Sequence, residues 1–505
     1  MRLYLAFLWV LSLAFAEFHG FLDIDPLKPM SKPPQLVRKP LRVKLNENSK
    51  ASSPDIQIED KRTKKMRKEK IRGVSLGGWL VLEPWINTIL FEQVAAEAGK
   101  MPVDEYTFTK ILGKKRSQEV LNKHWSTYYN ESDFAAIKYH GLNLVRVPIG
   151  YWAFEKLDND PYVGGQEEYL DKAINWASDN DLQVQVDIHG MPGSQNGFDN
   201  SGLRTTNPNW LEVDKNMAVT YKVVDYILEK YGNHPAVDSI EMVNEPFGIG
   251  GIDLAKLEDF YLYVYDQARE KGITKNLYFH DGFLGIGWWD WFMKDTKYEN
   301  ITIDHHLYEI FSTWHLDKSI EEHITNIEEQ GKQMAKQYHP SIVGEFSGAL
   351  TDCTKYINGV GKGARYNGTF QTDHAIGSCE NHSNFSSWSD ELKNNTKKFI
   401  EVQMKTFEEN ANGWIYWCFK TDETIEWDFQ KLAQLGMLPS AYTYRPPKVN
   451  ETTNTSPSKN SSGQKPQKSE ATSASYELFH FMYTFKGNAI FYATYILGIV
   501  LFTNI

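Results

Sequence analysis

The run Ser239-Ile-Glu-Met-Val243 ends in Asn244-Glu245-Pro246, and one hundred residues further on the run Ile342-Val-Gly344 ends in Glu345. Two glutamates that each close a short β-type run suit one kind of chemistry. A protonated carboxyl can hand its proton to a leaving oxygen while an ionised carboxylate attacks the acetal carbon from the opposite side. That is how a retaining glycosidase divides the work on a (β/α)8 barrel. Glu245 is expected to be the acid/base, because Asn244 beside it can hydrogen-bond the neighbouring sugar hydroxyl as charge develops. Glu345 is then the nucleophile.

Other β-type runs end in residues that serve the same chemistry. Glu83 follows the run 71–76, Arg146 lies in 142–148, His189 follows 182–188, His306 and Tyr308 follow 301–303, and Trp417 ends 413–417. Arg146 can hold Glu345 ionised, since an opposite charge lowers a carboxylate pKa. Tyr308 can donate to Glu345 as well. His189 and His306 are expected to contact sugar hydroxyls, and Trp417 to form a floor on which the ring stacks. Singly, a strand-end glutamate is more often a surface ion-pair residue and a lone histidine a satisfied core group. Their weight comes from sharing one rim. His305-His306 with His189 invites a metal reading, but no acidic ligand stands at a familiar motif spacing, so neither metal nor cofactor is expected.

These residues need a scaffold that brings strand ends together. Eight β-rich runs (71–76, 142–148, 182–188, 239–243, 276–279, 301–303, 341–343 and 413–417) alternate with helical patterns such as 168–179, 214–230, 256–271 and 395–410. The alternation predicts one α/β domain over 71–447, a single (β/α)8 TIM barrel with long rim loops. A doubly wound open sheet would carry a glycine-rich dinucleotide turn after its first strand, and Leu76-Gly-Gly-Trp79 is not one.

The flanks read differently. Residues 1–16, with the apolar run Leu3–Phe15 and Ala14-Phe15-Ala16, predict a secretory signal peptide. Residues 17–70 are Pro- and Lys-rich and are expected to be a disordered leader or propeptide, with Lys61-Arg62 a processing candidate. Residues 448–475 suggest a glycosylated Ser/Thr/Asn-rich stalk. Residues 476–505 end in an apolar tail, and small residues precede them. That order predicts a GPI-anchor signal that is removed, with Ser473 the candidate attachment residue. A membrane partner through the GPI lipid follows, with location in the cell wall or on the outer face of the plasma membrane.

Nine sequons, at Asn130, Asn300, Asn367, Asn381, Asn384, Asn394, Asn450, Asn454 and Asn460, fit a secreted chain. Three cysteines suggest one bridge and one buried thiol: Cys353 and Cys379 can close a loop, while Cys418 lies inside an apolar run. The net charge of −11 excludes a nucleic-acid partner, and 14% aromatic content leans toward carbohydrate. A monomer is expected.

Long motifs carry a resemblance. Arg72-Gly-Val-Ser-Leu-Gly-Gly-Trp-Leu-Val-Leu-Glu-Pro-Trp85, His189-Gly-Met-Pro-Gly-Ser-Gln-Asn-Gly-Phe-Asp-Asn-Ser-Gly202 and Val343-Gly-Glu-Phe-Ser-Gly-Ala-Leu-Thr-Asp-Cys353 resemble the fungal exo-β-1,3-glucanases of glycoside hydrolase family 5. Asp304-His-His-Leu-Tyr-Glu-Ile-Phe311 and Gly361-Lys-Gly-Ala-Arg-Tyr366 match as well. The tail makes the chain most similar to the anchored, cell-wall type. The resemblance implies a pocket releasing glucose from non-reducing ends of β-glucan, with retention and transglycosylation. By motif, Glu245 and Glu345 keep their roles. Glu83, Arg146, His189, Asn244, His306, Tyr308 and Trp417 line the sugar subsite, and Asp199 contacts the innermost glucose. Phe198 and Phe311 clamp the next sugar, and Cys353 pairs with Cys379. Phe419 and Cys418 depart from the pattern. An endo- or β-1,6-directed glucanase, or a non-catalytic glucan-binding wall protein, are the alternatives.

Overall fold

The structure is a computed structural model and describes residues 69–442. The signal peptide, nearly all of the leader, the stalk, the GPI signal with Ser473, and Asn450, Asn454 and Asn460 lie outside the described residues.

Eight parallel strands pair in sequence order and close on themselves. They are β1 (Ile71–Ser75), β2 (Leu144–Gly150), β3 (Gln183–Gly190), β4 (Val237–Glu241), β5 (Asn276–His280), β6 (Ile301–His306), β7 (Ser341–Phe346) and β8 (Gly413–Tyr416). β8 closes the barrel onto β1 with Gly413 opposite Ile71 and Tyr416 opposite Val74. All eight expected runs are strands. β6 and β7 reach further than expected, taking in His305, His306 and Glu345. Polar side chains end an apolar run in the sequence, but the backbone ladder continues wherever the barrel interior can satisfy them.

The helices between the strands are α1 (Thr88–Ala98), α2 (Glu105–Tyr128), α3 (Glu131–Tyr139), α4 (Gln166–Asp179), α5 (Asp214–Tyr231) and α6 (Leu254–Glu270). Later come α7 (Thr313–Leu316), α8 (Ile320–Lys336), α9 (Asp390–Asn410) and α10 (Phe429–Gln434). α5 buries Val219, Val223, Val224, Ile227 and Leu228, the spacing that seats one helical face on a sheet. At the lower end of the barrel Ile71, Leu144, Tyr278, Ile342 and Ile415 form a small apolar cluster drawn from five strands. Above it the interior turns polar, and the functional groups begin there. No described helix is long and apolar enough to cross a membrane.

The rim loops are tied down. Cys353 and Cys379 are disulfide-bonded, and Cys418 is a buried free thiol. His382, three residues after Cys379, meets Glu426 of the β8–α10 segment at 2.8 Å. That contact holds the His382 imidazole above its usual range and the Glu426 carboxyl below its own.

Candidate active site

The chemistry converges on the C-terminal ends of the strands, where a (β/α)8 fold assembles its sites. Arg146 of β2 is wholly buried and is the hub. Its Nη1 donates to Glu345 Oε1 at 2.7 Å, and its Nη2 donates to Asn244 Oδ1 at 2.7 Å and Glu241 Oε2 at 3.1 Å. Nη2 also stands 3.1 Å from Asp187 Oδ2, which takes His189 Nδ1 at 2.7 Å. Tyr308 donates from its hydroxyl to Glu345 Oε2 at 2.9 Å. The expected Arg146 and Tyr308 contacts with Glu345 are therefore both present.

Glu245 follows β4 in a left-handed backbone conformation, φ +48°, which a residue with a side chain adopts at a cost of about 1–3 kcal/mol. Gln195 clamps that corner. Its Nε2 donates to the Asn244 carbonyl at 2.8 Å and the His189 carbonyl at 2.9 Å, and its Oε1 accepts from Met191 N–H at 3.0 Å. Glu245 Oε1 meets His306 Nδ1 at 2.8 Å, and Oε2 accepts from Asn200 Nδ2 at 2.6 Å. His306 thus touches the glutamates themselves. Its Nδ1 is 2.8 Å from Glu245 and 3.3 Å from Glu345, which bounds the gap between those two oxygens at about 6 Å.

Electrostatics follow from burial. Desolvation holds the Glu345 carboxyl well above the usual carboxylate range; the Arg146 charge and the Tyr308 bond pull against that rise and the neighbouring Glu245 adds to it. Burial and then Arg146 hold the His306 imidazole well below its usual range, so it is neutral. Burial raises Glu83 well above the usual carboxyl range, and Asp199 adds to the rise. Asp199 itself is pushed up to about 6, mainly by burial.

Trp417 lies parallel to His189 with ring centroids 5.3 Å apart and 5° between planes. Glu83 Oε2 accepts from Trp85 Nε1 at 2.9 Å. Phe198, half-buried on the β3 loop, meets Phe247 edge-on at 5.0 Å, and Phe311, half-buried on the β6 loop, meets Tyr308 at 5.6 Å. Several buried polar atoms have no protein partner: Asn244 Nδ2, His189 Nε2 and Asp199 Oδ2. A buried donor or acceptor left without a protein partner marks where a hydroxyl-rich ligand would be held.

Five contributors lay outside the expected set: Asp187, Gln195, Asn200, Glu241 and Asp304, whose Oδ1 accepts from the Gly344 N–H at 2.7 Å. The acids had a readable signal. Gln185, Asp187 and His189 alternate along β3, and Asp304 and His306 along β6, the period that aims side chains at one face of a strand. Glu245, His280 and His306 bring one donor atom each within 4.8 Å, but they do not make a metal site. His280 Nδ1 accepts from Gly282 N–H at 2.9 Å, which puts its proton on Nε2 and leaves no lone pair to offer.

The family model described as Cellulase (glycosyl hydrolase family 5) matches residues 109–423. The "Glucan 1,3-beta-glucosidase 2" of Wickerhamomyces anomalus is 47% identical over 388 residues, covering 75% of this chain and 89% of that protein. The "Glucan 1,3-beta-glucosidase I/II" of Saccharomyces cerevisiae is 47% identical over 391 residues, covering 75% and 86%. Among solved structures, rutinosidase from Aspergillus niger superposes with a TM-score of 0.58 at 19% identity, covering 73% of this chain and 98% of that one, a likeness of fold.

Proposed function

This chain belongs to glycosyl hydrolase family 5, and from that premise we propose that it is a retaining glucan exo-1,3-β-glucosidase. The observation that carries the retaining mechanism is the bound of about 6 Å between the facing oxygens of Glu245 and Glu345. Direct attack by a carboxylate needs roughly 5–5.5 Å between the carboxyls, whereas an intervening water needs roughly 6.5–9.5 Å. The substrate class rests on the glucan 1,3-β-glucosidases to which nearly half of the aligned residues are identical.

Glu345 is the nucleophile because its partners hold negative charge. A guanidinium only donates, and Arg146 and Tyr308 aim one donor at each of its oxygens. Neutral His306 can accept at Nδ1 the hydrogen bond of a Glu245 O–H, which orients that carboxyl to act as the acid. Glu345 forms a bond to the anomeric carbon as the glycosidic C–O bond breaks, and the departing oxygen takes the Glu245 proton. Glu245, now ionised, draws a proton from water, whose oxygen displaces Glu345 and restores the β-configuration. A sugar hydroxyl in place of that water gives transglycosylation. Asn244 Nδ2, His189 Nε2 and Asp199 Oδ2 supply hydroxyl contacts, Glu83 a further one, and Trp417 the floor. Phe198 and Phe311 grip the next sugar. No step calls for a metal or a cofactor.

The proposal extends to location. The signal-peptide and GPI patterns, with the disulfide and the sequons, support a secreted glycoprotein held at the cell wall or the outer face of the plasma membrane, acting as a monomer on wall β-glucan.

The test is product analysis on linear β-1,3- and β-1,6-glucans. Glucose alone at early times from the β-1,3 polymer, and loss of at least about 10³ in kcat in Glu345→Gln, are expected. Mixed oligosaccharides would indicate endo action, and near-parental activity of Glu345→Gln would sink the mechanism.

A further inference from the structure

Beneath the two catalytic glutamates lies a set of buried acids that the reaction above leaves unused. Among the described residues Arg146 alone brings a guanidinium there, and it feels Asp187, Glu345, Glu241 and Asp304. None of these four acids is more than 4% exposed. Neutral His306 adds no positive charge. Four carboxylates around one guanidinium would leave the cluster several charges out of balance, which a buried site does not tolerate. Some of the acids must keep their protons.

The hydrogen bonds indicate which. Glu241 Oε2 accepts from Arg146 Nη2 at 3.1 Å and from Gln185 Nε2 at 3.3 Å. Asp304 Oδ1 accepts from the Gly344 N–H at 2.7 Å. The oxygens left over, Glu241 Oε1 and Asp304 Oδ2, are buried and meet no N–H or O–H donor. Yet one oxygen of each carboxyl lies within 4.8 Å of the other, shut away from solvent beside a ring nitrogen of His306. Two carboxyl oxygens at that range attract one another only through a proton between them.

We propose that Glu241 and Asp304 share one proton and act as a positioning pair for the nucleophile, a role that rests on the reading of Glu345 given above. The shared proton keeps Glu241 from drawing Arg146 off Glu345. It also fixes Asp304 against Gly344, the residue before Glu345, where an added Cβ would come within 2.1 Å of the Asp304 carboxyl. The groups facing Glu241 agree with a retained proton. β2 brings Arg146, β3 brings Gln185 and Asp187, β6 brings Asp304 and His306, and Tyr261 of α6 feels its charge. Its ladder partner on β5 is Tyr278. Burial raises Glu241 to about 8 and lifts Asp304 as well. Above that pH the proton passes to hydroxide, and the second carboxylate competes for Arg146.

Glu241→Gln separates this pair from a merely structural role, because an amide donates to Asp304 and accepts from Arg146 without titrating. With a dinitrophenyl β-glucoside, whose leaving group needs no protonation, kcat/KM reports attack by the nucleophile alone. The parental full chain should lose about tenfold per pH unit above pH of about 8. Glu241→Gln should lose less than about twofold over the same range. Infrared difference spectra of parent minus Glu241→Gln at neutral pH should show a protonated-carboxyl band that disappears in alkali. An alkaline limb that persists in Glu241→Gln, a flat parental profile, or the absence of that band each overturns the pair. If the parent leaves the glucoside untouched, the functional reading fails while the infrared measurement still decides the proton.

Discussion

Arg146 decides how the two glutamates differ. The sequence offers two carboxylates ending similar runs, and only their partners break the symmetry. Glu345 receives a guanidinium and a phenol, whereas Glu245 receives an imidazole and the Asn200 amide. Lysine keeps the charge but not the fork that spans Glu345, Asn244 and Glu241. Arg146→Lys is therefore expected to lose about 10²–10³ in kcat, about 3–4 kcal/mol of transition-state stabilisation, with native circular dichroism. A loss below about tenfold would mean that charge alone suffices. The positions of Glu83, Arg146, His189, Asn244, Tyr308 and Trp417 were legible because each lies in, ends or follows a β-type run. Asn200 was not, because nothing in the loop 189–202 says which side chain turns back toward Glu245.

The strands and helices hold these partners in register at points of close contact. β6 and β7 approach so tightly that Gly344 is the residue β7 tolerates beside Asp304. Gly344→Ala must push the Asp304 carboxyl aside, and an expected loss of about 1–3 kcal/mol should appear in urea unfolding together with a fall in kcat. Unchanged stability would show that Asp304 yields freely. α8 buries His323, Asn326, Ile327, Gln330, Gly331 and Met334, a mostly polar face. Its counterpart is buried Glu309, whose carboxyl meets His323 Nδ1 at 3.1 Å, Lys318 Nζ at 3.4 Å and the Asn326 amide. Glu309 follows Tyr308 directly, so this network anchors the β6 loop that carries Tyr308 and Phe311. Glu309→Ala strands those donors in the interior. We expect a loss of about 3–5 kcal/mol, read as a lower thermal midpoint, and a larger fall in kcat than in stability-matched core variants.

At the scale of the molecule, buried ionisable groups set the pH range of stability. Burial lowers His124 to about 4 and His280 to about 3, so the unfolded chain binds more protons below pH 6.5 and stability drops as pH falls there. Burial raises Glu105 and Glu241 to about 8, so the native state holds more protons between 4.5 and 8 and stability declines as pH rises through that window. The effects oppose one another between about 4.5 and 6.5 and separate outside it. Calorimetry should find the thermal midpoint falling from pH 6.5 to 8 and again below 4.5; a midpoint that climbs from 6.5 to 8 contradicts this. The Cys353–Cys379 bridge closes a separation of 26 residues, for which chain entropy gives about 3.5 kcal/mol. Reduction under otherwise native conditions should lower the midpoint accordingly, and no change would mean that noncovalent contacts such as His382–Glu426, just beyond the loop, already pin the segment.

Fold class and the two carboxylates were determined by the sequence alone. Eight β-rich runs alternating with helical faces admit few arrangements other than a closed parallel barrel, and residues at strand ends must then share one rim. The distance between Glu245 and Glu345, the reach of Arg146 into both sides of the site, and the company of Asp187, Glu241 and Asp304 were decided by the tertiary structure. Barrel closure sets those quantities, because closure brings β2, β4, β6 and β7 across the interior to one another. A local pattern fixes which way a side chain points along its own strand, but not what stands opposite it.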